Sequence, residues 1–310
     1  MLAITVGATW VGSVPGASTA RAQEADAGRV ETVVLDGTLT SWGRLGGMSV
    51  DALGFVYASA FGEEVWKIAP DGAVSVLADG FYGASGNAID TNGDLLQASF
   101  FSNAIYRISR TGAVSLVADE GLSGPVGIAV GKDGELYVCS CSDNSITRVA
   151  RDGATSVFAR SDLFACPNGI TFDGQGNLYV VSFGNDHMVR LDAEGSASLF
   201  VTIEPEGGYS EQAIAAGVEG NAHVVFARGS FFVTKIKTNS IWRVESDGTT
   251  SHFAGTFAYG QQDGPLKEAS FAAPNGIAAW RGALYVNDIT GVWRQATRAS
   301  LAVRKVILPR

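Results

Sequence analysis

The stretch PNGITFDGQGNLYVVSFGNDHMVRLDAEGSASLF, residues 167–200, decides the fold. Four short and mostly apolar runs, at 169–172, 178–181, 188–191 and 197–200, are separated by turn residues of the Asp-Gly and Gly-Asn kind. None of these runs continues with a 3.6-residue apolar period long enough for a core helix. The stretch therefore predicts a sheet of four short antiparallel strands.

The same pattern recurs along the chain at intervals of about 40 to 53 residues. Each unit has a basic residue with mostly apolar neighbours, which we place on the third strand: Lys67, Arg107, Arg148, Arg190, Arg243 and Arg294. A sheet of four strands has two apolar faces and needs a neighbouring sheet on each. The repeat therefore predicts an all-β fold, a six-bladed β-propeller of four-stranded antiparallel blades over residues 29–310.

The ring of blades has to close on itself. Residues 30–35 have the pattern of a fourth strand that precedes the first unit, and we expect them to join the sheet of the last blade. Residues 303–308 compete with them for the outermost place in that sheet, and the pattern leaves both arrangements open.

Several motifs recur at matching places in the units. They are Pro-Asn-Gly-Ile at 167–170 and 274–277, Leu-Tyr-Val at 136–138, 178–180 and 284–286, and Asp263-Gly264 ahead of Pro274. In these motifs the chain resembles, over residues 30–308, NHL-repeat proteins and the gluconolactonase and senescence marker protein family of six-bladed propellers. The resemblance implies a hydrolase for a lactone or small ester, in which a calcium ion polarises the carbonyl group.

Chain direction predicts which face of the propeller carries the function. The turns between strands one and two and between strands three and four are short and glycine-rich, and antiparallel strands place both kinds on one face. The other connections share the opposite face and vary in length, with long ones at 204–220 and 254–273. Variable loops on a rigid scaffold commonly carry binding sites, so we expect the site at that mouth of the channel.

Three asparagines, Asn168, Asn221 and Asn275, align with the start of the innermost strand in consecutive blades. Their amide oxygens are candidate calcium ligands, because Ca²⁺ prefers six to eight oxygen donors. The related enzymes usually place a glutamate where this chain has Gly46 and an asparagine where it has Val126, so the match is partial. The alternative is that asparagine after proline is a turn residue that caps backbone groups.

Candidate catalytic residues are His223 and Asp288. His223 lies two residues beyond Asn221 and is suited to general-base chemistry near neutral pH, although a single strand histidine is more often a hydrogen-bonded core residue. Asp288 ends a second strand at the same mouth and is also a possible metal ligand. The predicted substrate-binding residues around it are Ser85, Ser182, Lys235 and His187.

The three cysteines are odd in number, so at least one is free or bonded to another chain. Cys141 ends a second strand in unit three, and Cys166 lies on the loop that enters unit four on the same face. A disulfide between Cys141 and Cys166 is therefore geometrically plausible. The alternative is a reactive thiol at the rim.

Composition and the N-terminal region bear on location and partners. Residues 1–28 read as a signal peptide or leader, with small residues at Ala20 and Ala22, although no basic residue precedes the apolar run. We therefore expect a periplasmic or secreted protein and a monomer. The net charge of −9 and the lack of a basic cluster disfavour nucleic acid as a partner, and no run is long enough for membrane insertion.

Two functional hypotheses follow from the sequence. The first is a hydrolase that acts on a small-molecule lactone or ester at the channel mouth, with or without calcium. The second is a non-catalytic NHL-type binding module for a peptide, glycan or protein. The fold alone does not choose between them, because propellers host many activities.

Overall fold

The computed structural model describes residues 27–41, 46–59, 61–204, 220–290 and 299–309. The predicted leader, residues 1–28, lies almost entirely outside them. The described residues form 25 strands in six sheets, and they include no α-helix. Accordingly, this part of the chain has no helix that could span a membrane.

Strand bounds follow the repeat. After β1 (Arg29–Ser41), blade one contains β2 (Met48–Val50), β3 (Val56–Ser59), β4 (Val65–Ile68) and β5 (Val74–Ala78). Blade two contains β6 (Ala84–Ile89), β7 (Leu95–Ser99), β8 (Ala104–Ile108) and β9 (Val114–Ala118). Blade three contains β10 (Pro125–Val130), β11 (Leu136–Ser140), β12 (Ser145–Val149) and β13 (Thr155–Arg160).

The remaining blades follow the same order. Blade four contains β14 (Pro167–Phe172), β15 (Leu178–Ser182), β16 (His187–Leu191) and β17 (Ala197–Thr202). Blade five contains β18 (Val224–Ala227), β19 (Ser230–Lys235), β20 (Ser240–Glu245) and β21 (Thr250–Ala254). Blade six contains β23 (Ile277–Trp280), β24 (Ala283–Thr290) and β25 (Ala299–Ile307), and the short β22 (Gly264–Pro265) pairs at its outer edge. The predicted six-bladed propeller is confirmed.

Blade six closes the ring with the N-terminal strand. β1 pairs with β25 in antiparallel register, with Val30 opposite Val306, so β1 takes the fourth place and β25 the third. The prediction of a third strand around Arg294 is wrong, because Lys305 of β25 lies opposite Tyr285 just as Arg190 lies opposite Tyr179 in blade four. The connection from β24 (ending at Thr290) to β25 (beginning at Ala299) is longer than the one from β15 to β16, so the repeat spacing points to a basic residue too early in the chain. Residues 291–298 lie outside the described residues.

Apolar packing between neighbouring blades holds the ring together. Between blades three and four, Cys139 and Ile146 pack with Ile170, Val180 and Val189, and all five side chains are at most 7% exposed. Similar clusters lie between the other blades. Each sheet buries both faces in this way, so each blade depends on its two neighbours to cover its apolar surface.

The two ends of the propeller differ as the sequence predicts. The glycine turns cluster at one end, and Gly93 there has a φ of +83° that a glycine accommodates without strain. At the other end the connections are irregular, and the 254–273 loop forms an isolated bridge between Tyr259 and Phe271. We call this second end the loop face.

Candidate functional site

A pocket of about 180 Å³ opens where the central channel meets the loop face, and we call it the mouth pocket. Equivalent positions of successive blades form its wall. The outer ring comes just after the second strands and consists of Phe61, Phe100, Cys141, Phe183 and Ile236. The middle ring lies at the start of the first strands and consists of Gly46, Ser85, Val126, Asn168 and Asn275. His223 and Cys166 complete the lining.

A third ring, which we call the inner ring, lies one residue after the middle ring in each first strand. Its members are Gly47, Gly86, Gly127, Gly169, His223 and Gly276. Backbone pairing establishes the equivalence in blade five: Thr234 donates its N–H to the carbonyl of His223 at 3.0 Å, and Asn287 donates in the same way to Gly276 at 3.2 Å. Five blades therefore place glycine at this height and blade five places histidine.

The glycines are required because neighbouring blades approach one another closely. A Cβ at Gly86 would lie 2.0 Å from the carbonyl oxygen of Val126, and one at Gly127 would lie 2.3 Å from that of Asn168. The other three glycines of the inner ring would also bring a Cβ within 2.8 Å of the next blade. A side chain at any of these five positions would force the blades apart.

His223 places the single side chain of the inner ring in the channel. It is 8% exposed and lines both the mouth pocket and a second pocket of about 240 Å³ on the opposite side, the lower pocket. Ser49, Asn87 and Thr171, from the first strands of three other blades, also line the lower pocket. The imidazole thus lies between the two pockets and is shared by both.

Burial determines the charge of this imidazole. Desolvation lowers the pKa of His223 to about 4, so the ring is neutral at pH 7 and has one donor and one acceptor nitrogen. Among the described residues, neither ring nitrogen forms a hydrogen bond with another side chain or with the backbone. The donor and the acceptor are therefore available to a ligand in either pocket.

Two of the three asparagines predicted as metal ligands line the mouth pocket. Asn168 is 9% exposed and Asn275 is 8% exposed. The Nδ2 atom of Asn168 donates a hydrogen bond to the carbonyl of Ala222 at 2.5 Å, across the boundary between blades four and five. One role of this amide is therefore to join two blades.

Asn221 does not line the pocket, so the prediction that all three amides converge is wrong. The middle-ring position of blade five is Ala222, which donates its N–H to the carbonyl of Thr234 as Asn275 does to that of Asn287. Asn221 precedes it by one residue, is fully buried, and donates from Nδ2 to the carbonyl of His187 at 3.4 Å. The connection before blade five is long, and the predicted alignment of the first strands there is displaced by one residue, from Ala222 to Asn221.

Of the four predicted substrate-binding residues, Ser85 alone lines the mouth pocket, and its hydroxyl donates to the carbonyl of Pro125 at 2.7 Å. Ser182 is buried and accepts a hydrogen bond from the N–H of Ala165. The ring of His187 contacts the carbonyl of Leu163 at 3.2 Å. Ser182 and His187 therefore have structural roles outside the pocket lining.

Lys235, the fourth of these residues, also points away from the pocket. Its ammonium group is fully buried and donates to Asp186 at 2.7 Å and to the carbonyl of Ile203. Burial lowers the pKa of Lys235, and the neighbouring Asp186 carboxylate opposes this effect. The ion pair connects the second strand of blade five to the loop after the second strand of blade four.

Asp288, predicted to be catalytic, is not in the lining of either pocket. It is fully buried and accepts hydrogen bonds from the N–H groups of Ala272 and Ala273 at 2.6 to 3.0 Å. Burial raises the pKa of Asp288 to about 6, although these donors and the buried Arg304 favour its carboxylate. Asp288 thus fixes the end of the 254–273 loop and lies outside the lining of both pockets.

Cys141 and Cys166 form a disulfide in the structure, and both half-cystines line the mouth pocket. The bond joins blade three to the loop that enters blade four. Cys139 is free and fully buried, and burial raises the pKa of its thiol, which makes it unreactive. The pocket wall is therefore cross-linked covalently at one point.

The donor set of the mouth pocket does not fit a calcium ion. Its described lining supplies two side-chain amides and one hydroxyl but no carboxylate to offset the cost of dehydrating a divalent ion. Nowhere in the described ranges do three His, Cys, Asp or Glu side chains form a group that could hold a metal. The loop carboxylates Glu206, Glu211 and Glu219 lie outside the described residues.

The outer ring was not predicted. Phe100, Cys141, Phe183 and Ile236 each come one residue after the end of a second strand, whereas the predicted binding residues Ser182 and Lys235 are the last residues of their strands. Side chains alternate along a strand, so a shift by one residue reverses the direction in which the side chain points. An apolar residue recurs directly after the end of the second strand in successive blades, and this recurrence is the sequence pattern that predicts the ring.

Comparisons with known proteins agree with the fold. No protein-family model matches the chain, and no curated protein matches it. Among solved structures, a gluconolactonase from Xanthomonas campestris is 19% identical, with a TM-score of 0.66, and the match covers 94% of this chain and 93% of that one. An auxiliary nutrient binding protein from Bacteroides ovatus is 15% identical, with a TM-score of 0.70, and the match covers 90% of this chain and 76% of that one.

A catalytically inactive virginiamycin B lyase from Staphylococcus aureus, solved with quinupristin, is 18% identical with a TM-score of 0.60; the match covers 85% of this chain and 80% of that one. Proteins with such different functions share one architecture at identities below a fifth. The structural neighbours thus include a gluconolactonase, as the predicted resemblance requires, and the likeness is one of fold: this chain is a six-bladed β-propeller of the kind these proteins share.

Proposed function

We propose that the mouth pocket binds an uncharged small molecule with a lactone or ester carbonyl, and that His223 acts as general base when water attacks this carbonyl. The observation that carries the proposal is the neutral imidazole of His223 in a position where the other five blades have glycine. A residue that the packing of the ring does not require, placed in a pocket without hydrogen-bonding partners, is a candidate for function.

The polarity of the pocket supports an uncharged ligand. The described lining contains no charged side chain, and its outer ring is mainly aromatic and aliphatic. An ionic ligand would have to be desolvated there without a counter-charge. A lactone or ester needs only apolar contacts and one or two hydrogen bonds.

The chemistry of the step follows from the state of the imidazole. The unprotonated ring nitrogen accepts a proton from water as the water oxygen bonds to the carbonyl carbon. The imidazolium then returns that proton to the leaving alkoxide oxygen when the C–O bond breaks, so the ring ends unprotonated as it began.

The test is turnover of a panel of uncharged lactones and esters by the wild type, His223→Gly and His223→Gln. We expect His223→Gly to fold, since glycine occupies the other five positions, and to lose about 10²- to 10⁴-fold in kcat/KM. Because glutamine keeps hydrogen-bonding groups but is not a base, His223→Gln should bind the same lactones without turning them over. Equal turnover by all three proteins would refute the role of His223.

A second candidate is binding without turnover. It is favoured by the low pKa of His223, because such a weakly basic imidazole is a poor proton acceptor. The likeness to a nutrient binding protein agrees with it. Calorimetric binding of a panel member that the wild type does not hydrolyse would select this candidate.

We also propose that the protein works in an oxidising compartment, after export directed by residues 1–28. The Cys141–Cys166 disulfide supports this, because such bonds persist outside the reducing cytosol. Fusion of residues 1–28 to a reporter that folds only after export tests it. A reporter that stays inactive while a known signal peptide activates it would contradict the proposal.

A further inference from the structure

An aromatic surface continues from the mouth pocket onto the loop face. Phe61 and Phe100 line the pocket, and the ring of Phe101 lies 5.6 Å and 5.1 Å from theirs. The ring of Tyr82 lies 4.9 Å from that of Phe101. We call these four residues the aromatic shelf.

The outer half of the shelf is exposed to solvent. Tyr82 is 66% exposed and Phe101 is 49% exposed. Isolated exposed apolar residues are common on protein surfaces, but a contiguous aromatic patch that leads into a pocket is typical of a ligand-binding surface. The exposed rings therefore extend the apolar surface available to a molecule in the pocket.

The shelf is held in place by backbone hydrogen bonds. Phe101 donates its N–H to the carbonyl of Tyr82 at 3.1 Å, and Phe100 donates to that of Gly83 at 2.9 Å. The hydroxyl of Ser99 accepts from the N–H of Tyr82 and donates to its carbonyl. These bonds fix the backbone that carries both exposed rings before a ligand arrives, which lowers the entropic cost of binding.

We infer that the ligand carries an apolar substituent, an alkyl chain or an aryl group, that lies on the aromatic shelf while its carbonyl group is in the mouth pocket. This inference rests on the proposed function and names the class of ligand more narrowly. Continuity of the shelf with the pocket favours one molecule that spans both. A free sugar has more hydroxyl groups than the two amides, the one hydroxyl and the imidazole of the described pocket lining could satisfy.

The experiment compares a series of lactones that differ only in the length of one alkyl chain, from the unsubstituted ring upward. For the wild type we expect the dissociation constant to fall about two- to fourfold per methylene group, the upper value corresponding to full burial of the group. Removing the exposed rings with the double substitution Tyr82→Ala and Phe101→Ala should flatten this dependence and leave the affinity for the unsubstituted ring unchanged.

Leu53→Ala is the matched control. Leu53 is 65% exposed and lies in a turn on the opposite face, so its loss should leave the chain-length dependence as in the wild type. A dependence that survives the double substitution, or a wild type that binds all chain lengths equally, overturns the inference but not the proposed function. Failure of the unsubstituted ring and of every substituted lactone to bind overturns the proposed function itself.

Discussion

In the inner ring of the channel, blade five has a histidine where the other five blades have glycine. The glycines follow from packing, since a Cβ at Gly86 or Gly127 would collide with the next blade. His223 follows from no such requirement, and its side chain separates two pockets. The comparison separates the residues that the packing of the ring requires from a residue that this packing leaves free to vary.

The largest effect should come from placing a side chain at one of the glycines. We expect Gly127→Ala to lower the free energy of unfolding by about 3 kcal/mol, because a Cβ 2.3 Å from a carbonyl oxygen forces blades three and four apart. The reciprocal change, His223→Gly, should cost no more than about 1 kcal/mol at pH 7. Denaturant unfolding of both variants measures the difference, and equal losses would contradict it.

Loss of the disulfide should have an effect of similar size. Replacing Cys141 and Cys166 by serine removes a link that closes a loop of 25 residues, and we expect a loss of about 3 kcal/mol. Urea unfolding under non-reducing conditions measures it. Cys139→Ser is not a suitable control, because that thiol is buried; wild type treated with a reductant is the matched comparison, and it should be destabilised to the same degree.

The pH dependence of stability should distinguish the histidine from the glycines. The unfolded imidazole takes up a proton below pH 6.5 and the folded one only below about pH 4, so the unfolded state binds more protons between these values. The free energy of unfolding therefore falls as the pH falls through this window, by about 3 kcal/mol in total. As the pH falls through this window, the free energy of unfolding of His223→Gly should therefore rise relative to that of the wild type.

Asp288 changes the pH dependence of stability in the opposite direction. The free energies of unfolding of wild type and His223→Gly therefore have to be compared at each pH. Its folded pKa of about 6 lies above the unfolded value, so its contribution to stability is lost as the pH rises through about 4 to 6. This contribution is common to wild type and His223→Gly and cancels in their difference. If the difference between them stays constant from pH 7 to pH 4, the imidazole is not buried in neutral form.

The smallest effect concerns calcium. We expect no binding heat when calcium is titrated into chelator-treated protein, because the described pocket lining offers amide oxygens without a carboxylate. Binding heat that disappears in Asn168→Ala would contradict this. Heat that persists in that variant but disappears when Glu206, Glu211 and Glu219 are replaced would place the ion in the loop instead.

The number of blades, the antiparallel pairing and the end that carries the irregular connections follow from sequence, because turn glycines and apolar runs recur in every unit. The site does not follow as well. The predicted binding residues Ser182 and Lys235 each lie one position before Phe183 and Ile236, which line the pocket. Side chains alternate along a strand, so an error of one residue selects a side chain that points to the opposite side. Where connections are longer, as before Asn221 and before β25, the repeat spacing no longer determines the alignment.

The histidine itself was recognised as a candidate, but its most informative property was not. In a sequence read alone, a single strand histidine is more often a hydrogen-bonded core residue than a catalytic base. Once the six first strands are superposed through their backbone pairing, His223 is the exception in a ring of glycines. This comparison needs the hydrogen-bond register, which the sequence does not contain.

The most direct test is a nuclear magnetic resonance titration of the three histidine side chains, with His223 assigned from the signal that His223→Gly lacks. We expect this imidazole to titrate near pH 4 and its resonances to shift when a lactone that binds is added at pH 7. An imidazole that titrates near pH 6.5, or whose resonances stay unchanged in the saturated complex, would contradict it.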